Sequence, residues 1–225
     1  MTDRALERFE ALFGPEFGHG KTFDLAKLRA CLAALGNPHD KLPPVIHVAG
    51  TNGKGSTIAF MRAIAEAASL KVHAFTKPHL FGLRERFTVS SAPADDEALI
   101  DIAQQIAGVA PDLTQFDAQV AAAFMLFSAH PADLVLLETG MGGRDDSTNV
   151  IARPALSVIT PIALDHQDAL GPRLEDIAGV GPTRRRKLLA AFGGLDGVRD
   201  ATVEDLCRVD GINRHLAEQI YNALR

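Results

Sequence analysis

The fold of the chain is decided by the stretch Val45-Ile46-His47-Val48-Ala49-Gly50-Thr51-Asn52-Gly53-Lys54-Gly55-Ser56-Thr57. An apolar, β-branched run leads into a loop with three glycines and a lysine, and helix-like sequence follows from Ile58. Glycine tolerates positive φ and leaves room beside the backbone, so consecutive N–H groups of such a loop can converge on phosphate oxygens. The helix that follows adds the positive end of its dipole. The stretch predicts a nucleotide triphosphate site formed by Gly50, Thr51, Asn52, Gly53, Lys54, Gly55, Ser56 and Thr57.

Within this loop the residue types suggest separate roles. Lys54 would neutralise the β- and γ-phosphates, and either Ser56 or Thr57 could bind Mg²⁺. The general pattern G-x-x-x-x-G-K-[ST] is not met strictly, because Gly55 lies between Lys54 and Ser56. The alternative is a glycine-rich turn with a surface lysine. The order strand, loop, helix favours the nucleotide site.

The composition is that of an ordinary soluble globular protein. Of the 225 residues 47% are hydrophobic and 23% are charged, and the length allows one large domain or two unequal ones. No apolar run approaches the roughly 20 residues that cross a bilayer, and the N-terminus has no signal-peptide pattern. Cys31 and Cys207 lack metal-ligand spacing, so we expect free thiols in a reducing compartment. These features predict a cytoplasmic protein with no membrane partner.

Apolar periodicity and turn residues predict alternating strands and helices. The predicted strands are Val45–Ala49, Val72–Phe75, Phe87–Ser90, Leu134–Leu137 and Ala155–Ile159, and the predicted helices are 3–13, Phe23–Leu35, Ile58–Ala68, Asp95–Val109 and Phe116–Ala129. This alternation is typical of an α/β fold with a parallel P-loop sheet and flanking helices. Such sheets bind ligands beyond the carboxyl ends of their strands.

Two further polar signatures follow predicted strands and should lie at the same edge as the glycine-rich loop. Glu138 ends one strand, and Asp165-His166 comes shortly after another. Carboxylate and imidazole both ligate divalent ions, although Mg²⁺ alone prefers oxygen. Glu138 and His166 are therefore candidate metal ligands. The alternatives are a cap or surface salt bridge for Glu138 and a structural, hydrogen-bonded role for His166; His47 and His79 are expected to be structural.

These residues resemble the folylpolyglutamate synthase/dihydrofolate synthase family of Mur-ligase-like enzymes. The resemblance runs from near the N-terminus to about Gly171, so residues 1–171 are predicted to be one Mur-ligase-like ATP-binding domain. The matching segments are His47 to Thr57, Pro78-His79-Leu80 with Glu85-Arg86, Glu138 to Arg144, and Leu164-Asp165-His166.

The resemblance implies a reaction and a set of roles. In the family, ATP phosphorylates a folate-type carboxylate, and the amine of glutamate attacks the acyl phosphate. It implies ATP and Mg²⁺ as cofactors, with Lys54 on phosphate, Ser56, Glu138 and His166 on the metal, and Lys54 and His166 as the catalytic pair. Positioning and charge neutralisation dominate phosphoryl transfer.

The chain also departs from the family pattern. Lys77 stands where the family usually has serine, and Asp145-Asp146-Ser147 replaces Leu-Asp-Ala. After Asp165-His166 the family continues through a Glu-Lys-Ala-Gly segment, whose lysine is carboxylated, and a C-terminal domain. The chain carries neither, so we expect it to be catalytically incomplete as a ligase.

The last part of the sequence contains an internal repeat. Leu174 to Leu189 and Val203 to Ile220 share a Leu-x-x-apolar-x-Gly-like turn followed by an amphipathic helix. Each copy looks like a helix-hairpin-helix unit, whose tight turn exposes N–H groups to a phosphate. The pair resembles the tandem helix-hairpin-helix domain of the UvrC excision-repair nuclease subunit. Residues 172–225 are therefore predicted to be a DNA-binding domain.

On this interpretation the tail contacts nucleic-acid backbone with little sequence preference. The predicted contact residues are Gly179, Val180, Gly181, Arg184, Arg185, Lys187, Gly211, Asn213 and Arg214. The alternative is a compact helical cap that serves protein contacts.

Two functions from different classes remain. The first is an ATP/Mg²⁺-binding, folate-ligase-like domain with a DNA-binding tail. The second is a nucleic-acid-binding, repair-type protein whose α/β domain is an inactive remnant. A chimera in which neither part works fully is a third possibility.

Overall fold

The computed structural model describes residues 3–16, 25–162 and 182–223. The chain divides into two compact units, 1–163 and 164–225. In the first unit the helices are α1 (Arg4–Phe13), α2 (Leu25–Ala34), α3 (Lys54–Ala67), α4 (Asp96–Val109) and α5 (Gln115–Ala129). The strands are β1 (Val45–Ala49), β2 (Val72–Phe75), β3 (Phe87–Val89), β4 (Ala92–Pro93), β5 (Leu134–Glu138) and β6 (Leu156–Ile159). Short 3-10 turns lie at Pro38–Lys41, Leu83–Arg86 and Ser147–Val150.

The six strands form one sheet in the order β4-β3-β2-β5-β1-β6. β1 pairs in parallel with β5 on one side and with β6 on the other, and β5 also pairs in parallel with β2. This confirms the predicted α/β class and its parallel core. β3 and β4 pair antiparallel, which makes the sheet mixed at this edge. β2 reaches β3 through a loop and a 3-10 turn, and without a crossover helix the chain returns antiparallel.

Helices cover both faces of the sheet and give two apolar cores. α1, α2, α4 and α5 lie over one face, where Phe9, Phe75 and Phe124 are fully buried. α3 covers the other face through Ile58, Met61 and Ala65. Strands buried on both faces explain the continuous apolar sequence of β5.

Side-chain caps fix several helix starts. Asp3 accepts from the Leu6 N–H at the start of α1 (3.0 Å), and Thr114 accepts from the Asp117 N–H at the start of α5 (3.1 Å). Such caps satisfy donors that have no intrahelical partner. α3 is different, since it follows Gly53 in a left-handed conformation (φ 83°) with no side-chain cap. It begins at Lys54, four residues before the predicted Ile58, so Lys54 to Thr57 form its first turn.

The described part of the second unit is helical, with α6 (Pro182–Phe192), α7 (Leu195–Asp200), α8 (Val203–Cys207) and α9 (Arg214–Ala223). Its own apolar core contains Leu188, Val198, Leu206 and Ile220. Thr202 and Asp205 form a reciprocal cap at α8, and the Asn213 side chain accepts from the Leu216 N–H at the start of α9 (2.8 Å). A core of its own is what an independent small module requires. No helix among the described residues is long and apolar enough to span a membrane.

Candidate functional site

The glycine-rich loop after β1 is held against the end of β6. Gly50 has a φ of 132°, and a Cβ at this position would lie 2.1 Å from Thr160 Oγ1 and 2.8 Å from the Thr160 carbonyl oxygen. Only glycine fits this approach. The N–H groups of Thr51 and Asn52 donate to the Pro161 carbonyl (3.1 and 3.3 Å). Backbone of a neighbouring strand therefore shapes the loop, which no local sequence signal reveals.

The first turn of α3 presents backbone donors. The Thr57 N–H donates to the Gly53 carbonyl (2.9 Å), the first bond of the helix ladder. The N–H groups of Lys54, Gly55 and Ser56 precede that bond and have no carbonyl within the helix to accept them. Three consecutive donors at the positive end of a helix dipole form a ready anion site.

The Lys54 side chain folds back onto the loop. Its Nζ donates to the carbonyls of Gly50 (2.8 Å) and Thr51 (3.1 Å). A phosphate oxygen bound to this ammonium would have to compete with those carbonyls or share Nζ with them. The Thr57 hydroxyl donates to the Gly53 carbonyl (2.7 Å), whereas the Ser56 side chain is exposed. This contrast favours Ser56 over Thr57 as the hydroxyl that could reach an ion.

Glu138 lies at the carboxyl end of β5, buried beside the start of α3. Its Oε2 is 3.6 Å from the position that a Cβ on Gly55 would take, and it accepts from the Lys77 N–H (3.1 Å). Burial raises the pKa of this carboxyl, although the Lys77 N–H and the Lys54 and Lys77 charges oppose the shift. A divalent cation would favour the ionised form, so the donor chemistry fits a metal ligand.

Lys77 has an environment that the sequence did not predict. Its ammonium lies 3.8 Å from Glu16 Oε1 and 4.8 Å from the centroid of the Phe116 ring. Burial lowers the pKa of Lys77, and Glu16 opposes that shift. Glu16 also pairs with the buried Arg86 (2.9 Å), which donates to Gln119 (2.6 Å). Glu16 belongs to no sequence motif. An acidic residue directly after Gly14-Pro15 is the only sequence signal at this position.

The histidines of β1 and of the loop after β2 are hydrogen-bonded within the fold. His47 Nε2 lies 2.8 Å from Thr148 Oγ1 and 2.9 Å from Thr139 Oγ1, and burial lowers its pKa. Thr148 in turn donates to Asp146, whose other oxygen accepts from the Met141 N–H (2.7 Å). This network ties the loop after β5 to β1. His79 Nδ1 accepts from Arg86 Nε (3.0 Å).

A cavity of about 460 Å³ adjoins the start of α3. Its walls come from α3, β2, β3 and the loop after β2, and Gly55 and Glu138 are among the residues that line it. Among the described residues, no three His, Cys, Asp or Glu side chains gather into a metal cluster. Three features meet at one edge of the sheet, namely the glycine-rich loop after β1, Glu138 and the loop after β2. His166 lies outside the described residues.

In the second unit the predicted contact residues also hold the module together. Arg184 Nε donates to the Gly211 carbonyl (2.8 Å), and Lys187 pairs with Asp210. Arg214 lies 3.3 Å from Glu218 and 3.9 Å from Glu204. Gly211 has a φ of 86°, which suits a tight turn before α9. Arg185 lies on α6. Gly179, Val180 and Gly181 fall outside the described residues.

Comparison with known proteins finds two resemblances. The model of a family described as "SAM-like Helix-hairpin-helix tandem" matches residues 172–225. The dihydrofolate synthase/folylpolyglutamate synthase of Bacillus subtilis is 41% identical over 164 residues, which cover 69% of this chain and 38% of that protein. The Escherichia coli protein of the same name is 40% identical over 162 residues, covering 71% of this chain and 38% of the relative.

Solved structures agree with this resemblance. The structure "E.coli FolC in complex with DHPP and ADP" has a TM-score of 0.66 and 36% identity, covering 80% of this chain and 43% of that one. The structure "FPGS-AMPPCP-folate complex" has a TM-score of 0.67 and 33% identity, covering 78% and 44%. The chain is thus homologous to folate ligases, but it spans only 38% of the length of the two curated relatives just described.

Proposed function

We propose that the first unit binds ATP with Mg²⁺ at the carboxyl edge of its sheet. The observation that carries this proposal is the buried Glu138 carboxylate beside Gly55, at the helix end where three backbone donors converge. Phosphates would lie on the N–H groups of the Gly50–Ser56 segment, and Lys54 would leave the Gly50 and Thr51 carbonyls to contact them. Ser56, Glu138 and His166 would hold Mg²⁺, which supplies charge neutralisation when bound.

The test is a calorimetric titration of the full chain with ATP, in the presence of Mg²⁺ and again with excess EDTA. We expect saturable binding with Mg²⁺ and weaker binding with EDTA. A chain that takes up no ATP under either condition would contradict the proposal.

We further propose that ligation of glutamate to a dihydropteroate- or folate-type acceptor is absent or very low for this chain alone. Transfer of the γ-phosphoryl group to the acceptor carboxylate gives an acyl phosphate and ADP. Attack by the glutamate amine then forms the amide and releases phosphate. Holding the three reactants in the correct relative position supplies much of the rate enhancement of such a reaction. The chain spans only 38% of the length of the two curated relatives, so we expect that part of the groups that position the reactants is missing.

The assay is ADP release with ATP, glutamate and dihydropteroate added singly and together. Release that requires all three would overturn the expectation of an incomplete ligase. ATP binding without such release is the expected pattern.

A second function rests on the tail. We infer that residues 172–225 bind DNA backbone without sequence preference, as a tandem helix-hairpin-helix module. The family match and the Gly211 turn before the Asn213-capped start of α9 support it. Fluorescence anisotropy of the full chain with single-stranded and branched DNA at several salt concentrations is the test. If DNA binds and ATP does not, the interpretation of the α/β unit as an inactive remnant gains support.

A further inference from the structure

The two halves of the second unit differ in charge. Residues 182–200, which contain α6 and α7, carry five Arg or Lys against two Asp, a net charge of +3. Residues 201–223, which contain α8 and α9, carry two Arg against four Asp or Glu, a net charge of −2 with His neutral. We call these segments the basic half and the acidic half. The phosphates of a nucleic acid are attracted to the first and repelled by the second.

The turn before α9 satisfies part of its own backbone. The Ile212 N–H donates to the Val209 carbonyl (3.0 Å), and the Leu216 N–H donates to the Asn213 side chain (2.8 Å). A phosphate that docks at a helix start is held by such N–H groups. Here the Asn213 side chain, as an N-cap, takes the place of an anion for one of them. The turn thus offers a phosphate fewer donors than an uncapped helix start would.

The arginines of the acidic half face carboxylates of the same half. Arg214 donates to Glu218 (3.3 Å) and lies 3.9 Å from Glu204. Arg208 donates to Asp205 (3.0 Å). Each such pair is exposed and weak, so it does not lock the arginine in place. The carboxylates nevertheless oppose the approach of a further anion, because like charges repel.

Two basic side chains of α6 reach across to the acidic half. Arg184 donates to the Gly211 carbonyl (2.8 Å), and Lys187 pairs with Asp210. Residues three apart are neighbours on a helix, so both contacts start from one side of α6. The Asp210 side chain is 89% exposed and places a solvated negative charge beside Lys187. Asp210 therefore competes with any phosphate that approaches Lys187.

We propose that DNA lies against the basic half alone, and that the acidic half supports α6 without contacting phosphate. This inference rests on the proposed DNA binding of residues 172–225 and adds which surface of the module binds. Of the predicted contact residues it keeps those of α6 and removes Gly211, Asn213 and Arg214. It also makes Asp210 a restraint on affinity, since its carboxylate holds Lys187.

The first test compares two pairs of arginines within the same unit. Binding of the full chain to a labelled single-stranded oligonucleotide is measured by fluorescence anisotropy at about 150 mM salt, where charges beyond about 8 Å are largely screened. Arg185→Ala/Arg186→Ala on α6 should weaken binding about threefold or more, because phosphate contacts are lost. The control Arg208→Ala/Arg214→Ala removes the same charge from the acidic half and should change affinity less than about twofold.

The second test removes one carboxylate from each of two pairs. Asp210→Asn takes away the carboxylate that Lys187 faces and should strengthen binding about threefold. The matched control Glu218→Gln takes away the same charge beside Arg214 on α9 and should change affinity by about 1.5-fold at most. Circular dichroism of each variant checks that the helical content of the wild type is kept.

Hydrogen exchange of the wild type locates the contact without mutation. Amides of 183–189 should exchange more slowly when the oligonucleotide is added, whereas amides of 211–217 should not change. Three results would overturn the inference while leaving the DNA binding itself intact. They are equal losses in the two arginine pairs, equal gains in Asp210→Asn and Glu218→Gln, and equal protection of the two segments. A wild type that binds no DNA overturns this inference together with the proposed DNA binding.

Discussion

The two units of the chain use basic residues in opposite ways. In the first unit Lys54 and Lys77 lie among groups from distant parts of the sequence, with Glu138 and Glu16 brought close by the sheet. In the second unit Arg184 and Lys187 are tied to Gly211 and Asp210 of the neighbouring hairpin within a small helical module. The first site depends on the whole fold. The second depends on one local repeat, and its basic side chains hold the module together as well as offering charge.

This contrast predicts that one backbone position in the first unit has the largest effect. Gly50→Ala would put a Cβ against Thr160, in a conformation that L-residues rarely adopt. We expect a loss of about 3 kcal/mol or more in the free energy of unfolding, together with loss of ATP binding. Urea unfolding and calorimetry would measure the two effects.

Gly108→Ala is the matched control for this change. Gly108 lies within α4, and a Cβ there meets nothing within 4 Å. Alanine should stabilise the helix by about 0.5–1 kcal/mol. Equal stability of the two alanine variants would show that Thr160 does not shape the loop.

The next largest effect is expected where Lys54 would neutralise the charge of the ATP phosphates. Lys54→Ala should weaken ATP binding at least tenfold, about 1.4 kcal/mol. Stability should change little, because the Lys54 ammonium donates its hydrogen bonds to the Gly50 and Thr51 carbonyls of its own loop. Lys27→Ala removes an exposed lysine of α2 and should leave affinity unchanged. Isothermal titration with Mg²⁺ present distinguishes the two. Unchanged affinity in Lys54→Ala would remove this residue from the site.

A pH experiment tests whether the network behind the loop is buried as described. Burial lowers the pKa of His47, and also that of His73 in β2, in the folded state, so the unfolded chain binds more protons. Stability should therefore fall as pH drops below about 6.5, by up to about 1.4 kcal/mol per unit for each histidine.

Replacing His47 isolates its share of this pH dependence. His47→Gln should flatten the decline relative to the wild type, measured as unfolding free energies between pH 7.5 and 5.5. The second unit provides a contrast, since its cross-hairpin pair Lys187–Asp210 is exposed to solvent and contributes little to stability. A variant that declines as steeply as the wild type would mean that His47 is protonated in the fold.

The smallest effects are expected on the tail. Arg184→Ala/Arg185→Ala should lower DNA affinity a few-fold and flatten the dependence of log affinity on log salt by roughly one unit for each phosphate that is no longer neutralised. Arg8→Ala/Arg29→Ala, in the first unit, is the charge-matched control. If both double variants give the same salt slope as the wild type, Arg184 and Arg185 do not contact DNA phosphates.

Much of the architecture followed from local sequence. β1 and β2 have the predicted bounds, and the glycine-rich loop lies between a strand and a helix as expected. Strand alternation, caps and apolar periodicity are short-range properties, so one sequence reveals them. The loop after β2 lies at the same edge of the sheet, where the Lys77 N–H donates to Glu138. The roles of the site residues and the boundary at 171/172 stay predictions.

Only the tertiary structure decided the rest. The apolar pattern from Ile58 suggested a helix start four residues too late, because glycine and serine disguise the first turn of α3. The approach of Thr160 to Gly50 and the pairing of Glu16 with Arg86 both join segments far apart in the chain. Local sequence determines which segments are strands, helices and turns, since propensity and capping act over a few residues. Which side chains meet at the sheet edge depends on strand order and register, and these are set by packing over the whole unit.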